Sequence, residues 1–181
     1  MMLFSGDLRR IGVIFHKEFA RLLFASLTSI AVFLMGGCAS LDVMESRNLD
    51  VTEKPYQRAL YLQYSELALR EIEEGNVSSA GMFNSKAKLA AIEGNISFPV
   101  YDETTLSDAR AEVVQAAQRV LKAYLDQETY LELPVVTARA HAMLDCWIEE
   151  EEQGVDIGDI AACRQAFKRA IAILETRFPA K

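Results

Sequence analysis

Few side chains in this chain of 181 residues are able to do chemistry, and their spacing narrows what chemistry that is. Cysteines stand at 38, 146 and 163, and histidines at 16 and 141. A thiol serves as nucleophile, metal ligand or disulfide partner, according to its compartment and its neighbours. One histidine beyond the N-terminal region, with two cysteines suited to bridging, does not assemble a zinc set. The sequence holds no glycine-rich phosphate loop, no G-x-S-x-G elbow and no H-E-x-x-H. No nucleophile is paired with a base, so the chain is expected to be no enzyme and to need no metal or cofactor.

Cys38 has the most telling surroundings. Leu34-Met35-Gly36-Gly37-Cys38 follows an uncharged, mostly apolar run from Leu22 to Met35, itself preceded by Arg9, Arg10, Lys17 and Arg21. A run of 14 residues is short for a membrane span and suits a cleaved signal. The segment resembles the processing site of bacterial lipoprotein precursors, which implies cleavage before Cys38 and acylation of its thiol. A plain secretory signal with an incidental cysteine is one alternative. A twin-arginine signal at Arg9-Arg10 is another, although Ile11-Gly12-Val13 matches it poorly.

On the lipoprotein reading, residues 1–37 are signal peptide, 38–51 a tether and 52–181 a periplasmic domain. Removing 1–37 takes four basic and two acidic residues from 19 and 26, leaving 15 against 24 and a net charge of −9. Such a domain is not drawn to nucleic acid, nor electrostatically to an anionic membrane. Its bilayer contact is expected through the lipid on Cys38, where each buried methylene adds roughly 0.8 kcal/mol. The residue after the cysteine is Ala39. By resemblance to lipoprotein sorting, the lack of aspartate there implies the periplasmic face of the outer membrane.

The elements that must position the remaining groups are helical. Helix one is expected over about Thr52–Glu74, with Thr52 as cap, Pro55 in the first turn and Gly75 as stop. Its inward set is Tyr56, Leu60, Tyr64, Leu67 and Ile72. Helix two is expected over Val77–Glu93, antiparallel to the first, with Met82, Phe83, Ala87, Leu89, Ala90 and Ile92 as its apolar set, ending at Gly94-Asn95. Helix three follows a cap at Thr104 or Thr105, with Leu106, Ala109, Val113, Ala116, Ala117, Val120, Leu121 and Tyr124 inward. Helix four runs from near Pro134 to Gln153, with Val136, Ala140, Met143, Leu144 and Trp147 on one face. Helix five follows the turn Gly154–Gly158 and carries Ile160, Phe167, Ile171 and Leu174 inward until Phe178-Pro179. The expected fold is all-α, about five helices in an antiparallel helical-hairpin bundle. It is loosely like tetratricopeptide hairpins, with small Ala80 and Ala87, but lacks that 34-residue consensus.

Cys146 precedes Gly154 by eight residues and Cys163 follows Asp156 by seven, so both lie about two turns from one bend. Facing helices about 8–10 Å apart bring such side chains together. A disulfide closing this small loop is expected to contribute about 3 kcal/mol; two buried free thiols are the alternative.

Four segments form a larger pattern: Tyr61-Leu62-Gln63-Tyr64-Ser65-Glu66-Leu67-Ala68, Lys86 to Gly94, Ala138 to Glu149 with its Asp145-Cys146-Trp147, and Asp159-Ile160-Ala161-Ala162-Cys163-Arg164-Gln165-Ala166-Phe167. This pattern resembles the helical N-terminal region of alphaproteobacterial OmpA-family lipoproteins. The resemblance implies an envelope location and a helical domain. The OmpA-like wall-binding domain that follows in that family is not matched here. Leu106-Ser107-Asp108-Ala109-Arg110-Ala111-Glu112-Val113-Val114 resembles part of the wall-binding motif, in which the arginine grips a stem-peptide carboxylate. Glu103 stands where that motif has asparagine, and the bland reading is an amphipathic helix.

Other groups are expected to be structural. His141 is read as a surface or boundary residue, and Tyr56, Tyr61 and Tyr64 as packing. Glu71-Ile72-Glu73-Glu74 and Glu149 to Glu152 are read as solvated helix ends, with a partner-binding acidic patch as the alternative. The expected function is an outer-membrane lipoprotein whose domain serves as envelope scaffold or protein-interaction module. The alternative is a peptidoglycan-associated protein, binding the wall through Arg110 or docking on OmpA-like proteins.

Overall fold

The computed structural model describes residues 42, 43, 45, 46, 49, 53–92 and 96–179. The fold is all-α, and no strand occurs among the described residues. Its helices are α1 (Pro55–Glu73), α2 (Val77–Ile92), α3 (Asp108–Asp126), α4 (Thr129–Glu132), α5 (Pro134–Gln153) and α6 (Ile157–Arg177). No helix among the described residues is long and apolar enough to cross a membrane.

Two helical hairpins form the frame, and tight chemistry makes both bends. After α1 the Gly75 N–H reaches the Ile72 carbonyl and the Asn76 N–H reaches the Glu71 carbonyl. This is the paired closure of a Schellman cap, and Gly75 supplies the left-handed φ of +82° that it needs. Gly154, with φ +63°, ends α5 through a single bond from its N–H to the Glu150 carbonyl. Asp156 then caps α6 by accepting from the backbone N–H groups of Gly158 and Asp159. Pro55 and Pro134 open α1 and α5, where a missing N–H costs nothing. α1 packs on α2 and on α5, and α5 packs on α6, α3 and α4.

Several boundaries differ from expectation. Lys54, with no side-chain cap bond, precedes α1; the expected cap Thr52 lies outside the described residues, as do Glu93 and Gly94-Asn95. α3 follows Ser107 rather than Thr104 or Thr105. The reason is local: the Asp102 carboxylate takes both the backbone N–H and the hydroxyl of Thr104, which spends those groups on a turn. The short α4 was not foreseen.

α3 is also rotated about its axis relative to expectation. It buries Val114, Ala117, Leu121 and Tyr124, whereas Ala109, Val113, Ala116 and Val120 are exposed. Val and Ala spread well beyond one face, so periodicity alone admits neighbouring faces; the larger Leu121 and Tyr124 lie on the face that is buried.

Part of the expected tether is not slack. Asp42, Val43, Glu45 and Ser46 are helical, and Val43 and Ser46 are buried. The Tyr61 hydroxyl donates to the Ser46 carbonyl at 2.8 Å, and Lys88 pairs with Asp42 at 2.6 Å. Cys38 itself, with the signal segment 1–37, lies outside the described residues.

Candidate functional site

α5 and α6 bring Cys146 and Cys163 to disulfide distance, with Cα atoms 5.7 Å apart and both residues buried. Arg70 of α1 lies over the bridge, each terminal nitrogen 3.5 Å from one sulfur. The same guanidinium pairs with Glu150 at 2.7 Å, Glu71 at 2.9 Å and Glu74 at 3.4 Å.

Here the reading of the acids as solvated helix ends holds for Glu73 and Glu74 and is corrected for three others. Glu71, Glu150 and Glu151 are buried. Arg70 makes this tolerable for the first two, because a buried carboxylate needs a paired cation and hydrogen bonds. The Asn76 amide also donates to Glu71. Burial, with help from the Glu71 charge and against the pull of Arg70, pushes the Glu150 carboxyl up to about 7. Glu71, Glu74 and Glu150 cluster as ligand atoms for a cation would. Arg70 is that cation.

Glu151 has a different partner set. It accepts the Trp147 indole N–H at 3.0 Å and faces the Arg110 Nε at 3.5 Å. Arg110, the candidate wall contact, therefore stands half-exposed on the first turn of α3 with a carboxylate of its own chain beside it.

A second polar centre escaped sequence reasoning. Asp145 is buried and accepts the Tyr64 hydroxyl at 2.8 Å while pairing with Lys86. Burial and the Asp145 charge hold the Tyr64 phenol well above its usual range. The available signal was an aspartate set between Leu144 and Cys146-Trp147, on an inward face where only a paired charge survives.

His141 is likewise inside, only 3% exposed, and the surface reading is corrected. It sits one turn before Asp145, between α1 and the segment 96–98. The Nε2–H donates to the Ser97 carbonyl at 3.2 Å, which leaves Nδ1 to accept the Tyr56 hydroxyl proton at 2.9 Å. Burial holds the imidazole down at about 4, against the opposing pull of Asp145. A cavity of about 200 Å³ beside it is walled by Tyr56, Leu60, Phe98 and Tyr130. The tyrosines do pack, as expected, but each of the three also spends its hydroxyl on a named partner.

The four segments quoted from the sequence thus meet in space. Tyr64, Lys86 and Asp145 form one knot, Cys146 and Cys163 a second, and Trp147 against Phe167, with ring centroids 6.0 Å apart, a third. Above this frame the misjudged face of α3 lines an open groove of about 440 Å³. Val113, Ala116 and Val120 form one wall, Trp147 lies between, and Phe167 and Ile171 of α6, flanked by the charged Lys168 and Glu175, form the other. Chemically, the buried groups hold the frame, and the groove offers apolar contact.

Compared with protein-family models, curated proteins and solved structures, the chain matches none.

Proposed function

We propose that this chain is a lipid-anchored envelope protein on the periplasmic face of the outer membrane, and that its helical domain is a docking module for a helix of another envelope protein. The observation that carries the docking reading is the groove between α3 and α6. An amphipathic helix lays apolar residues at three- and four-residue steps into such a groove, and Val113, Ala116 and Val120 present a wall with that spacing. Trp147, itself only 2% exposed, closes the floor between the walls. The location rests on the Leu34 to Cys38 segment, on Ala39 and on the resemblance to OmpA-family lipoproteins. The Cys146–Cys163 pair supports it, because structural disulfides persist in oxidising compartments.

The first test is the intact mass of protein extracted from membranes without reductant. The expected mass is that of residues 38–181 plus acyl chains, less two hydrogens. For docking, a photo-crosslinker at Ala116 should capture one defined envelope protein, and Val113→Asp with Val120→Asp should abolish the adduct while the thermal midpoint holds. An adduct indifferent to both substitutions removes the groove from the function. Binding to purified sacculi that is lost with Arg110→Ala transfers the assignment to the wall-binding alternative.

A further inference from the structure

Asp42 and Ser46 are tied to α2 by side chains, and Tyr61 of α1 also holds the Ser46 carbonyl. Val43 is 2% and Ser46 1% exposed. The Ser46 side chain meets Asn84, and the Asn84 amide donates to Asp42 at 2.7 Å. Lys88, one turn further along α2, holds the other Asp42 oxygen at 2.6 Å. Four peptide units separate Asp42 from Cys38, a reach of at most about 14 Å. That is little more than the width of one helix, about 10–12 Å. A lipid on Cys38 therefore cannot let the domain swing freely while Asp42 stays clamped.

The helix that receives the clamp has an unusual outward face. α2 reads Val-Ser-Ser-Ala-Gly-Met-Phe-Asn-Ser-Lys-Ala-Lys-Leu-Ala-Ala-Ile and carries no acidic residue, in a domain of net charge −9. Val77, Gly81, Ser85, Leu89 and Ile92 recur along its exposed side; Leu89 and Ile92, expected in the apolar set that packs inward, are instead exposed, Ile92 by 72%. Both lysines of α2 are turned to carboxylates of the domain, Lys86 to Asp145 and Lys88 to Asp42. The face is thus neutral and partly apolar, and it belongs to the helix that holds Asp42, four residues after Cys38.

We infer that the outward face of α2 rests on the lipid surface that holds the anchor, with Leu89 and Ile92 at the headgroup boundary and the Asp42–Ser46 clamp fixing that orientation. The inference rests on the acylation of Cys38 proposed above. The bilayer is favoured as occupant by the short chain between anchor and clamp and by the lack of acid on this one helix. Like charge keeps acidic surfaces away from anionic headgroups, and a neutral apolar face approaches them without that penalty. The contact is expected to be weakly sensitive to salt.

The experiment uses the full acylated protein in vesicles of phosphatidylethanolamine and phosphatidylglycerol that carry a lipid-borne nitroxide quencher. Fluorophores are placed singly through Ile92→Cys and Ser85→Cys on α2 and Ile173→Cys on α6. Quenching is expected to be several-fold stronger at both α2 positions than at Ile173. Val43→Asp, checked for retained helicity by circular dichroism, should keep the protein on the vesicles yet bring all three sites to the same low quenching. Releasing the clamp lengthens the free chain to the 17 residues from Cys38 to Pro55, about 60 Å. Equal quenching at the three sites in the vesicle-bound parent overturns the α2 assignment and leaves the anchor intact. Unchanged α2 quenching in Val43→Asp overturns the clamp. A mass without acyl chains, and no association with vesicles, removes the anchor and the inference together.

Discussion

α5 and α3 are nearly equal in length and live in opposite circumstances. α5, 20 residues long, buries twelve of them, and five of those are polar or charged: Thr137, His141, Asp145, Glu150 and Glu151. α3, with 19 residues, buries four, all of them Val, Ala, Leu or Tyr. The interior charges of α5 each require a partner from another element, so α5 is held in one register by Arg70, Lys86, Tyr64 and Cys163. α3 is held by an apolar stripe and leaves a second apolar stripe open to solvent. The contrast separates a specified frame from a surface set upon it.

The largest expected break in this contrast is Asp145→Ala, which strands Lys86 and Tyr64. Removing one partner of a buried charged pair costs about 3–5 kcal/mol. Urea unfolding should show a loss of that size, against less than about 0.5 kcal/mol for Val120→Ala on the exposed face of α3. Equal losses would erase the distinction between the two helices.

Next comes the bridge. Replacing Cys146 and Cys163 together by serine should lower stability by about 3 kcal/mol, read from urea midpoints without reductant. Reductant should narrow the gap between parent and variant. A parent already indifferent to reductant would mean that the two thiols are unbridged.

Acid sharpens the comparison further, because two groups of α5 respond in opposite senses. His141 is held at about 4 when folded, below its ordinary 6.5. The unfolded chain therefore binds the extra proton, and stability falls as the pH drops from 6.5 to 4, by on the order of 3 kcal/mol. Glu150 is raised to about 7 from 4.5. Its folded form binds the extra proton, so its contribution is full below 4.5 and is lost as the pH climbs to 7. Across the overlap, His141→Gln should flatten the acid limb of a stability–pH curve, and Glu150→Gln should steepen it. Parallel curves for both variants would show that neither ring nor carboxyl is set as described.

The smallest expected effect on stability is on the groove wall. Val113→Ser with Val120→Ser should change the unfolding free energy by less than about 1 kcal/mol in total, while partner crosslinking at Ala116 falls away. Loss of folding instead would place that wall in the frame.

Much of the frame is legible in the sequence. Pro55, Gly75, Pro134 and Gly154 mark helix ends by backbone chemistry that acts within a few residues, and α1, α5 and α6 fall close to their expected bounds. The cysteine pairing was legible because equal distances from one bend place two side chains at one height. The exposed half of α3 was not, since Val113, Val114, Ala116 and Ala117 are interchangeable to a periodicity argument. Neither were the buried acids: Glu71 and Glu150 look like solvated helix ends until Arg70 stands between them. His141 looked peripheral because Tyr56 and Ser97, its partners, are far away in the chain.

The sequence by itself therefore determined the helices and their hairpin pairing, which follow from hydrogen bonds and spacings a few residues long, and the cysteine pairing, which follows from equal distances to one bend. Only the tertiary structure decided which charges go inside, which stripe of α3 is left open, and that Asp42 and Ser46 are held against α2. Those outcomes depend on groups dozens of residues apart, such as Asp42 with Lys88 or Arg70 with Glu150. A buried charge is stable only where its partner arrives from another element, and the residue's own neighbours carry no sign of that arrival.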